Sequence, residues 1–158
     1  MARSDSSPAG PMPAGRSMPQ IIALTVGVVY ILIGLLGFLV TGFDGNFAGH
    51  TDQTLLGFEI NPLHNLVHLA VGAVGLALSR TLNTARTFGW LLFVAFGALF
   101  LYGLFAVNRT DGVNFLSLNI PDNGLHLVTS LVGLTAALWP VKAQVRQAQR
   151  QMQAARRG

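Results

Sequence analysis

At 158 residues, with 51% hydrophobic residues, only 10% charged residues and a mean hydropathy of +0.52, the chain has far too few charges to coat a soluble globule, which normally carries about 25%. A membrane protein is the class that remains, and the net charge of +4 needs no nucleic acid to explain it, because membrane topology places basic residues in the same way. The absence of cysteine removes disulfides, thiolate catalysis and thiolate metal sites together.

Residues 1–19 are rich in Ser, Pro, Gly and Ala and lack any apolar period, which predicts a disordered cytoplasmic N-terminus. The charges beyond it leave four uncharged intervals, Ser17 to Phe43, Ile60 to Ser79, Thr87 to Asn108 and Asn123 to Val141. Each is close to the roughly 20 residues that cross a hydrocarbon core of about 30 Å. The fold class is therefore all-α, with transmembrane helices at about 20–43, 61–79, 87–108 and 122–141 in one domain over 20–141. The first interval is too long for a signal-peptide core and lacks a small-x-small cleavage site, so it reads as a retained anchor.

Between the first two helices, "GFDGNFAGHTDQTLLGFE" has acids, His50 and glycines without calcium-loop spacing, and reads as an ordinary outer loop. Asn61 and Pro62 open the second helix as a cap and first-turn pair. "NIPD", Asn119 to Asp122, offers the fourth helix the same chemistry with an acid at the positive end of its dipole. Residues 142–158 read as a basic helical tail with Lys142, Arg146 and Arg150 on one face, suited to lipid headgroups or, in a sharper reading, to docking a partner.

Alternating helices would put Arg3, Arg16, Arg80, Arg86, Lys142, Arg146, Arg150, Arg156 and Arg157 on one side and only Arg109 on the other. Both termini are then expected in the cytoplasm of a multi-pass plasma-membrane protein.

A shift of 58 residues lays "NPLHNLVHLAVGAVGLAL" on "NIPDNGLHLVTSLVGLTA", pairing Asn61 with Asn119, Asn65 with Asn123 and His68 with His126. Two tandem two-helix hairpins in parallel orientation follow. Helices one and three match poorly beyond Gly34 with Gly97. Small and polar stripes mark the faces that meet other helices: Gly34 and Gly37 in helix one, Gly72 and Gly75 in helix two, Ser130 and Gly133 in helix four.

The segments "EINPLHNLVHLAVGAVGL", "LNIPDNGLHLVTSLVGL" and "GVVYILIGLLGF" resemble the small actinobacterial membrane proteins grouped as domain of unknown function 4383, across about residues 20 to 141. The resemblance implies a four-helix plasma-membrane protein and supplies no activity or catalytic residues. Its copies differ at His64, which aligns with Asp122.

Three roles suit His64, His68 and His126. The first is structural: neutral imidazoles hydrogen-bonded to Asn65, Asn123 or backbone carbonyls at the outer end of the bundle. The second is a haem or divalent-metal site, drawing on the four-residue step from His64 to His68 with His126 and Asp122 as further ligands. The third is a proton or solute path, against which stands the lack of a mid-membrane acid. The reading that ranks first is a non-catalytic structural or accessory subunit, without a cofactor, whose partners are the bilayer and a larger membrane assembly or homo-oligomer. The alternative is a haem- or metal-binding redox or sensor protein using His68 and His126.

Overall fold

The computed structural model describes residues 15–43, 46–107, 109–140 and 150–157. Among them four long helices account for most of the chain: α1 (Met18–Thr41), α2 (Pro62–Leu78), α3 (Leu82–Ala106) and α4 (Ile120–Leu138). A minimal antiparallel hairpin, β1 (Thr54–Leu55) and β2 (Phe58–Glu59), lies between α1 and α2. Residues 150–155 form a short exposed helix that includes Arg150, whereas Lys142 and Arg146 lie outside the described residues, as do residues 1–14.

Local chemistry sets the helix ends. A capping box between Ser17 and Gln20 starts α1, and Gly42, at φ 65°, ends it. Asn61 and Asn119 cap α2 and α4 by accepting from the amides of His64 at 2.8 Å and Asp122 at 3.1 Å, each with proline in the first turn. α4 stops at Leu138, three residues short of the expected end, because Pro140 disfavours helix in the residue before it. α3 starts at Leu82 rather than near 87, since a Thr81–Thr84 capping box nucleates it. Arg80 and Arg86 limit the uncharged interval, but a charge does not end a helix. From within α3, Arg86 donates to the Trp139 carbonyl at 2.6 Å and so satisfies the end of α4.

α1 packs along α2 and α3 along α4, and the two pairs meet through narrower contacts. The stripes of small residues allow this. A Cβ on Gly72 would lie 2.7 Å from the Ile31 nitrogen and 2.8 Å from the Gly27 oxygen, and one on Gly133 would lie 2.7 Å from the Gly89 oxygen. Gly34, Gly37, Gly75 and Ser130 are likewise buried at helix contacts. Tyr30 and Thr129 join the pairs through a buried hydroxyl–hydroxyl bond of 2.8 Å. Tyr30 also packs with Ala23, Ala85, Phe88, Leu92 and Phe96 in the core.

Burial is inverted relative to a water-soluble bundle. Small and polar side chains line the interior, while large apolar ones point outward, with Leu39 82% and Phe105 76% exposed beside Leu32, Leu35, Val94, Leu101, Val128 and Leu131. α1 and α3 are long and apolar enough to cross a membrane; α2 is a shorter apolar helix.

Candidate functional site

The α1–α2 and α3–α4 connections meet over the N-terminal ends of α2 and α4. Asn61, having capped α2, donates from its amide nitrogen to the carbonyls of Gly49 and Phe115, both at 2.8 Å. The Thr51 amide donates to Ser117 Oγ at 2.9 Å, Gly49 to the Phe115 carbonyl at 2.9 Å, and Asn119 to the Gly57 carbonyl at 2.9 Å. Ile60, Leu116 and Leu118 are buried beneath these bonds. The expected ordinary loop is therefore a lid. The bonds that join the two connections link residues more than fifty positions apart, so no local pattern announces it. On its surface His50 lies 3.5 Å from Glu59 and 3.6 Å from Asp52.

Under the lid, His64 from α2 meets Asp122 and His126 from α4. Their ligand atoms all lie within 4.8 Å of one another, and the residues are 2%, 1% and 2% exposed. His64 Nε2 is 3.9 Å from Asp122 Oδ1, too long for a hydrogen bond. His68 stands one turn deeper, 4.5 Å from the His64 ring and edge-on to Tyr30 at 5.1 Å. Phe96 makes the matching edge-on contact with His126 at 5.5 Å. The Nδ1 atoms of His64, His68 and His126 and Oδ2 of Asp122 are buried without hydrogen-bond partners. A cavity of about 40 Å³ adjoins the cluster, lined by residues that include Leu56, Phe58, His68, Asp122 and Leu125.

This arrangement departs from the pattern expected of the sequence in two ways. The three-residue cluster keeps His64, Asp122 and His126 of the four ligands the metal reading drew on and leaves His68 one turn deeper. The asparagines are not partners of the histidines. Asn65 donates to Thr41 Oγ1 at 3.0 Å, and its side chain fills the space that a Cβ on Gly37 would enter. Asn123 packs in the same way against Gly103, and the Oδ1 of each asparagine is buried without a hydrogen-bond partner. Each lies one residue, and so about 100° of helical turn, away from the cluster face. The cavity borders Asp122 and His68 and is otherwise lined by apolar side chains.

An open groove of about 400 Å³ lies where the C-terminal end of α3 meets the N-terminal end of α4, lined by Phe100, Gly103, Leu104, Val107, Ile120, Asn123 and Gly124. A Cβ on Gly124 would meet nothing within 4 Å.

Residues 20–139 match the family model described as Domain of unknown function (DUF4383), and the chain belongs to that family. No curated protein and no solved structure matches the chain.

Proposed function

We propose that the protein crosses the cell membrane four times, with both termini in the cytoplasm, as two tandem hairpins derived by duplication, and that it serves as a non-catalytic accessory subunit of a membrane assembly. The apolar exterior of all four helices supports the four spans, since hydrocarbon tolerates Leu39 and Phe105 where water does not. The nine-to-one division of basic residues supports the orientation. Contacts that recur between the hairpins support the duplication: Gly37 against Asn65 and Gly103 against Asn123, Tyr30 on His68 and Phe96 on His126.

The accessory role is carried by the groove beside Asn123. A groove lined by glycines and apolar side chains at the edge of a bundle is a surface against which a helix of another subunit packs closely. Gly124→Leu tests this, because a Cβ there meets nothing within 4 Å and the larger side chain would fill the groove. Native-membrane extraction followed by size analysis and co-purification should show the parent in a complex and the variant alone, with both equally folded. A parent that runs as an isolated monomer would refute the role, and a complex containing only this chain would make the groove a self-association site.

A further inference from the structure

We propose that His64, Asp122 and His126 bind one divalent transition-metal cation of the zinc class beneath the outer lid, its fourth position facing the cavity beside His68. Among the described residues, Asp122 is buried with no cationic side chain against it: its ion-pair neighbour is the His64 imidazole, Arg109 lies at the surface with Asp111, and Arg86 binds the far end of α4. A carboxylate taken from water without a compensating charge is costly. Neutral imidazoles do not compensate it, but a divalent cation does, and it also occupies lone pairs that now have no donor.

The donor set favours this class of ion. Two imidazoles and one carboxylate suit zinc, whereas calcium and magnesium prefer oxygen throughout. Tetrahedral bonds of about 2.1 Å set ligand atoms about 3.4 Å apart, so the present spread of up to 4.8 Å closes by side-chain rotation of little more than 1 Å. Phe96 fixes the His126 ring from one side, and the lid excludes bulk water. Because His64 belongs to the first hairpin and Asp122 and His126 to the second, the ion would tie the two together. The cavity of about 40 Å³, which borders Asp122 and His68, has the volume for a single water as the remaining ligand, which would distinguish the site from a closed four-residue structural centre.

The inference goes beyond the accessory role and stands apart from the partner groove. The full-length chain, purified in mild detergent through a tag without histidines, would be assayed for metal by mass spectrometry. After chelation it would be titrated with Zn²⁺ by calorimetry and with Co²⁺ by absorption spectroscopy. About one zinc per chain and tetrahedral cobalt bands are expected, with His64→Gln, Asp122→Asn and His126→Gln each binding more than tenfold more weakly and His50→Gln unchanged. Folded parent protein that is metal-free and gives no Zn²⁺ heat would overturn the proposal. Binding that survives all three substitutions, or falls with His50→Gln, would overturn it as surface adsorption. Gly124→Leu should keep its zinc, so loss of the ion and loss of the partner are read separately.

Discussion

The hairpin α1–α2 and the hairpin α3–α4 share a frame and differ in what they do with it. In α2 and α4 equivalent residues are 58 positions apart, and the contacts in α1 and α3 set a separation of 66, pairing Tyr30 with Phe96 and Gly37 with Gly103. The frame is common: glycine opposite asparagine, aromatic edge on histidine. The departures lie at its outer end. Thr41, which accepts from Asn65, is replaced by Val107, and Leu66 by Gly124. Both asparagines leave Oδ1 without a partner, but in the first hairpin the Asn65 amide nitrogen donates to Thr41, while the second presents an open groove beside Asn123. His64 against Asp122 is the third departure, and it gives the cluster one carboxylate instead of two. Shared positions hold the bundle together, and divergent positions are where interaction and chemistry concentrate.

The largest effects should come from breaking the shared frame. Gly37→Ala drives a methyl into Asn65, and overpacking of this kind costs about 1–3 kcal/mol; pairing it with Asn65→Ala should restore part of the loss in detergent unfolding. Gly103→Ala should cost less by the same measurement, since Asn123 has the groove to turn into. Equal losses would mean that the two ends are alike.

The next effects come from exchanging the aromatic residues. Tyr30→Phe removes the bond to Thr129 and should cost about 0.6 kcal/mol, as for an average bond between membrane helices. Phe96→Tyr should cost more, about 1–3 kcal/mol, because its hydroxyl would face Val71, the counterpart of Thr129, with no partner. Adding Val71→Thr should recover stability. Failure of that rescue would break the proposed correspondence of α1 with α3.

Gly124→Leu, which makes the second hairpin resemble the first, should change stability by no more than about 0.5 kcal/mol, as for a surface position, while abolishing the complex. The smallest effect belongs to Arg109 and Asp111, exposed in the loop that follows α3. The guanidinium hydrogen-bonds the carboxylate at 2.5 Å and lowers its pKa, so the pair is intact above the ordinary Asp range and lost only as pH falls through the lowered value. Arg109→Gln should return the Asp111 titration, followed by NMR, to the ordinary range without a detectable change in thermal unfolding.

Much of the frame is legible in the sequence because charges are sparse enough to reveal the helical intervals and small residues recur at helical spacing. Asn61 with Pro62, and Asn119 with Pro121, mark two helix starts directly. The start of α3 is hidden because Arg86 interrupts the apolar run without interrupting the helix. The match of Gly34 with Gly97 gives the wrong register, since a single glycine identity cannot outweigh the contacts that pair Gly37 with Gly103. At the candidate site the residues could be named in advance, but not their partners. Whether His64 or His68 meets His126 depends on how two helices are placed against each other, and the lid depends on bonds between distant loops.

The accessory role is tested most directly by placing a photo-crosslinking residue at position 124 in the groove, and in a second protein at the equivalent Leu66, and irradiating native membranes. Both positions are exposed, so both can report a neighbour. A discrete protein adduct from position 124 and none from 66 is the predicted result; no adduct from 124, or the same adducts from both, would contradict it.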